Sequence, residues 1–382
     1  MRNSIQIEIN FQVLIWARES IALTKNQVVD KINISNTKLN QLELGEKLPT
    51  LDELKELSKL YKRTIATLLL ETPPKEKPLP IDRRTVNSEN QNSFHEKTIL
   101  AVRKARALAN SFLELKTELG VESKKFNLSA NLNESPKSIA EKLRKILKLQ
   151  ELRNFNKPIE ALEFCIEQCE QLGIMVFQLS LTKDNVRGFA LTDDIVPIIG
   201  IKRGQETPQS KLFTLFHELG HILLNEGGIC DLSDKSTIVI EKWCNAFSAE
   251  LIIPTKEFKQ NEIVLKYIAE NNKIWSLKDL VLVGKSFNAS PLAILRSLLE
   301  NKLVTKDFYT EKHEKWNKPQ FGRSKHPEGR NISKETIQEK GRTYISLAFK
   351  AYDRNRIDLK DLSDFLGVKL SYIPKTRQLL HT

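Results

Sequence analysis

Apolar residues recur three and four apart through most of the chain, the spacing that gathers them on one face of a helix. Within residues 11–70, FQVLIWARESIAL, NQVVDKI, TKLNQLELG and LDELKELSKLYKRTIATLLL each carry such a stripe. Thr24, Ser35 and Thr50 stand where N-caps belong, with Pro49 just before the last of these helices. Short helices with short connections predict a five-helix, helix-turn-helix-like bundle over 1–72. Residues 73–93 follow as a proline-rich, then polar, linker with too few apolar positions to build a core.

Helical spacing returns in ILAVRKARALANSFLELKTELG, SPKSIAEKLRKILKLQELR and PIEALEFCIEQCEQLG, the last closing on Gly173. Alternation takes over at IMVFQLSL (174–181), which predicts a strand. VRGFALTDD and IVPIIGIK (186–202) read as two more strands joined by a turn at Asp193–Asp194, and Pro197 suggests that 196–202 is a sheet edge. Residues 262–304 are helical again, with Ser290 capping the second of two helices in LVLVGKSFNASPLAILRSLL. Residues 317–336 read as a basic loop, and TIQEKGRTYISLAFKAYDRNRIDLKDLSDFLGVKL as two helices. The expected fold is α+β and predominantly helical, with a small antiparallel sheet. Its segments are a bundle (1–72), a linker (73–93), a central domain (94–260), a helix-turn-helix-like extension (261–304) and a basic helical region (305–382).

Composition narrows the class. Over 382 residues, 40% are hydrophobic and 28% charged, which is a globular composition. No apolar run reaches the ~18–20 residues a membrane helix needs, and MRNSIQIEINFQ holds no apolar signal core, so a cytoplasmic protein is expected. Cys165, Cys169, Cys230 and Cys244 suit a reduced compartment, the first two lying one helical turn apart. The net charge of +12 is concentrated on either side of the central segment, whereas residues 1–72 carry only +1. Basic flanks could hold nucleic acid or an acidic protein, or simply be a solvated surface.

Candidate chemistry lies in FTLFHELGHILL, residues 213–224. A helix places His217 and His221 on one face, where both imidazoles can meet one ion. Glu218 lies about 100° round from His217, near enough to take a proton from a zinc-activated water without ligating the metal. A catalytic zinc needs a third protein ligand, and no further histidine lies close by. IEKWCNAFSAELIIP (240–254) offers carboxylates instead. Glu241 opens a helix there and shares the inward stripe of Cys244, Phe247 and Leu251. Glu250 is the rival, half a turn round, so only one of them faces the metal; the apolar stripe favours Glu241.

FTLFHELGHILL followed by EKWCNAFSAELIIP, with the preceding RGFALTDDIVPIIGI, resembles the ImmA/IrrE family of zinc metallo-endopeptidases. That resemblance runs from about 175 to 254 and more weakly to 300. It implies a zincin-like domain, Zn2+ held by His217, His221 and Glu241, Glu218 as general base, and Asn245 and Pro254 as structural positions. It also implies cleavage of an XRE-type DNA-binding repressor, which would derepress genes of a mobile element or stress response. Lys202 departs from the asparagine common in relatives.

Residues 11–70 are similar to XRE-type helix-turn-helix domains. The recognition helix would span about 36–44 and present Asn36, Lys38, Asn40 and Gln41, side chains able to read bases or hold phosphate. Lys25 and Leu44 depart from that pattern, and a charge of +1 is small for displacing phosphate counterions. Docking onto another helix-turn-helix protein is therefore an open alternative to DNA. Two further functional readings accompany the peptidase. One is a DNA-binding regulator or antitoxin-like protein with a structural or sensory metal; the other is an inactive scaffold.

Overall fold

The computed structural model describes residues 5–77, 79, 96–122, 125–181, 186–192, 195–204, 206–225, 234–316 and 331–380, with backbone alone at 234–238 and 316. The chain divides into two compact units, 1–103 and 104–382.

The first unit holds α1 (Phe11–Glu19), α2 (Lys25–Lys31), α3 (Asn36–Glu43), α4 (Leu51–Tyr61) and α5 (Ile65–Leu68), with the first turns of α6 (Glu96–Glu118). Thr24, Ser35 and Thr50 each accept a hydrogen bond from a backbone N–H of the first turn, as their positions predicted. At Thr24 and Thr50 the glutamine or glutamate three residues on returns the bond, completing capping boxes. Leu14, Ala17, Ile21, Val28, Leu39, Leu42, Leu54, Leu57 and Tyr61 form the core. Ile99 joins it, and Leu79 from the predicted linker packs against it. Arg18 donates to both carboxylate oxygens of buried Glu43, at 2.7 and 3.2 Å, and to the Leu23 carbonyl at 2.9 Å. This pair joins α1 to α3 through a charge-assisted fork.

The second unit opens with the rest of α6 and α7 (Pro136–Ile146). The single helix read through LRKILKLQELR is broken at Lys148, whose φ is +52°, and continues as a 3-10 turn at Leu149–Asn154. There follow α8 (Pro158–Gln171), β1 (Met175–Leu179), β2 (Gly188–Leu191), β3 (Ile198–Lys202), α9 (Pro208–Leu223) and α10 (Asp234–Ile252). α11 (Thr255–Lys259), α12 (Glu262–Ala269), α13 (Leu277–Phe287), α14 (Pro291–Glu300) and α15 (Lys306–Trp316) continue the same core, which runs unbroken from Ala130 to Val304. The fold is α+β and predominantly helical, as expected.

The sheet corrects two expectations. Its order is β1-β3-β2, with β1 parallel and β2 antiparallel to β3, so it is mixed rather than antiparallel. β3 is accordingly the central strand, not an edge. Pro197 precedes its first residue and offers its carbonyl to the Met175 N–H at 2.9 Å, so the ring marks a strand start, a second position where a missing N–H costs nothing. The Asp193–Asp194 turn lies outside the described residues.

The C-terminal region departs from the two-helix reading as well. Residues 332–336, taken for loop, belong to α16 (Ile332–Lys340), and α17 (Arg342–Asp353), α18 (Leu359–Leu366) and α19 (Ile373–Leu380) follow. Gly341, at φ +81°, separates α16 from α17. Most of the basic loop lies outside the described residues. Among those described, no helix is long and apolar enough to cross a membrane.

Candidate metal centre

Helix α9 begins at Thr207, whose side chain accepts from the Ser210 N–H, with Pro208 in the first turn. Leu212, Leu215, Phe216, Leu219, Ile222 and Leu223 enter the core, and His217, Glu218 and His221 are almost as buried, at 3%, 3% and 8% exposure. Helix α10 crosses it closely. A side chain at Gly220 would lie 3.0 Å from Cys244 Sγ and 3.3 Å from the Phe247 ring, so glycine is what allows the approach. The Ser248 hydroxyl donates to the Phe213 carbonyl at 2.9 Å, fixing the register of the two helices. α10 starts at Asp234, so Glu241 sits two turns inside it rather than opening it.

This crossing brings His217, His221 and Glu241 together. Glu241 Oε2 is 3.2 Å from His217 Nε2, Oε1 is 3.3 Å from His221 Nε2, and the two Nε2 atoms are 3.2 Å apart. Ligands at the usual zinc distance of about 2.0–2.1 Å in a tetrahedron stand about 3.3–3.4 Å apart, close to each of these separations, with the Glu241 carboxylate spanning the two nitrogens through its two different oxygens. The donor set, two imidazoles and one carboxylate, could hold a divalent metal and leave a fourth position open. Burial works to raise the Glu241 carboxyl, but hydrogen bonds to His217 and His221 outweigh it and hold the group well below the usual carboxylate range.

Glu250 is not part of this group. Its carboxylate accepts from the Thr255 N–H at 2.8 Å and the Thr255 hydroxyl at 2.6 Å, at the start of α11. Glu218 instead lies against β2: a side chain at Gly188 would come within 2.9 Å of Glu218 Oε1 and 2.7 Å of Thr214 Cγ2. Glycine there lets the strand pass directly over the carboxylate. Gly188 escaped the sequence reading. Asn245 was expected only as a structural position, and its partner was not: its Oδ1 is 3.1 Å from His217 Nδ1, with its spacing of four from Glu241 the available signal.

The candidates on α3 do not converge. Asn36 and Asn40 are exposed, and Lys38 and Gln41 half-buried. Lys25 Nζ donates to Asn40 Oδ1 at 2.7 Å and lies 3.3 Å from Glu43, while Lys38 Nζ is 3.7 Å from Glu53. Part of the proposed reading face is thus engaged within the bundle.

No curated protein matches the chain. The helix-turn-helix resemblance of the first unit is not supported by any family match. Residues 169–298, which span the sheet, α9, α10 and the helices through most of α14, match the family model of the IrrE N-terminal-like domain. The chain therefore carries an IrrE N-terminal-like domain, a domain of the metallopeptidase class.

Proposed function

We propose that the protein is a zinc-dependent endopeptidase acting on a specific protein, an XRE-type repressor being the substrate the family resemblance favours. The single observation that carries the reading is the convergence of His217, His221 and Glu241, with 3.2–3.3 Å between the two Nε2 atoms and from each to a Glu241 oxygen, and with Glu218 on the same helix as the two histidines. Zinc bound there would supply a Lewis acid that polarises a peptide carbonyl and lowers the pKa of water towards ~7. Glu218 takes the proton of the attacking water and passes it to the departing amine. Its near-complete burial, under β2, keeps bulk solvent from competing for that proton.

An extended substrate would add to the outer edge of β2, which pairs only with β3 among the described residues. α16 packs against β1, the other edge strand, which leaves β2 as the edge beside Glu218. For the bundle, the Lys25–Asn40 bond, the Lys38–Glu53 pair and the small net charge favour recognition of a protein over binding of DNA phosphates. A cytoplasmic location fits the cysteine usage.

Glu218→Gln tests the proposal. It should keep the metal and reduce cleavage of a co-expressed repressor by about 10²–10⁴-fold. A variant that derepresses as well as the wild type would hand the role to a regulator or scaffold with a non-catalytic metal. Gel-shift titration of the full chain at rising salt addresses the bundle; tight, steeply salt-dependent binding would reinstate the DNA reading.

A further inference from the structure

We infer that Asn245 is a positioning residue that sets the tautomer and orientation of His217 for metal binding, an inference that rests on the metal site proposed above. A neutral imidazole binds a metal through one nitrogen only if its proton resides on the other. His217 Nε2 is the atom that faces Glu241 and His221. Its Nδ1 faces Asn245 Oδ1 at 3.1 Å. An amide oxygen can only accept, so this contact keeps the proton on Nδ1 and leaves the Nε2 lone pair towards the metal position.

The geometry follows from α10. Glu241 and Asn245 are one turn apart on the same face, so one rigid helix holds both nitrogens of a single ring. Phe213 packs beside that ring, with centroids 6.3 Å apart, and the His217 side chain is only 4% exposed. Few other orientations are open to it. Asparagine also makes this bond without adding a second negative charge beside Glu241. Asn245 is itself exposed, yet its side chain reaches a buried histidine on a neighbouring helix.

The test uses the full chain stripped of metal and then titrated with zinc against a chromophoric chelator. Asn245→Ala should weaken zinc binding by roughly 10–100-fold. Asn245→Asp, which keeps an accepting oxygen in place, should restore most of it. In parallel, nitrogen NMR of the metal-free wild type should show His217 protonated at Nδ1, and Asn245→Ala should shift the ring towards the Nε2–H form. This readout does not need an active enzyme and would not move if Asn245 merely stabilised the fold. Zinc affinity unchanged within twofold in Asn245→Ala, alongside a clear loss in His217→Ala, would overturn the proposal and leave the metal site standing. So would a wild-type ring protonated at Nε2. A wild-type chain that takes up no zinc would instead bring down the metal reading, and this proposal with it.

Discussion

On α9, His217, Glu218 and His221 sit in the core with almost no exposure, while on α3 the candidates Asn36, Lys38, Asn40 and Gln41 stay in or near water, Lys38 and Asn40 engaging neighbours within the bundle. Each pattern is a polar constellation on an otherwise apolar helix, yet the energetics differ. Burying an imidazole or carboxylate costs several kcal/mol unless a partner compensates. The two histidines meet that cost by converging with Glu241, an arrangement that suits an ion better than it suits bare side chains. Solvated side chains on α3 carry no such cost and so demand no ligand. Burial with convergence, more than residue type, separates a site from a surface.

The largest test of that contrast lies in the bundle, where burial serves structure alone. Arg18→Ala strands the Glu43 carboxylate, 3% exposed, leaving the half-exposed Lys25 as its remaining ion-pair partner among the described residues. Breaking a buried pair costs about 3–5 kcal/mol, which should appear as a lower urea midpoint for the first unit, with metal content unchanged. Metal loss in that variant would break the comparison.

Gly188→Ala probes the other side. Its new methyl would meet Glu218, Thr214 and the Gly200 carbonyl oxygen, the last of which is backbone and cannot swing away. Overpacking of this kind costs about 1–3 kcal/mol, and displacing Glu218 should slow cleavage while the metal stays bound. Normal stability and turnover would show that β2 does not confine the base.

Glu170 sharpens the rule from a third place, through a pH dependence rather than a lost contact. Burial raises its carboxyl to about 7, against hydrogen bonds from the Thr343 N–H and hydroxyl, and Oε1 has no partner among the described residues. Because the folded value lies above the unfolded one, the native state holds the extra proton. Stability should therefore fall as pH rises from about 4.5 to about 7, by at most ~1.4 kcal/mol per pH unit, and level off above that range. Melting curves at pH 5 and 8 should show this slope in the wild type and its loss in Glu170→Gln. An unchanged slope would mean that Glu170 is charged throughout.

Much of this was legible because it is local. Thr24, Ser35 and Thr50 cap helices by short-range rules, and the four-residue spacing of His217 and His221 has one meaning on a helix. The inward stripe shared by Glu241, Cys244 and Phe247 extended that legibility to a carboxylate twenty residues away. Strand order was not legible, since β1 and β3 are equally apolar and nothing local states which strand a third will join. Pro197 misled because a strand start and a strand edge tolerate proline for the same reason. Asn245 was visible as a position but not as a partner, since its bond to His217 exists only once two helices cross. Gly341 hid a helix boundary for a similar reason: its backbone angle is set by tertiary packing against α8 and β1.

The most direct measurement is the metal content of the purified full chain by elemental analysis, compared across wild type, His221→Ala and Glu241→Ala. The account predicts about one zinc per wild-type chain and near-complete loss in both variants, with folding of the first unit intact. A wild-type chain without stoichiometric metal, or a Glu241→Ala chain that keeps it undiminished, would contradict the account.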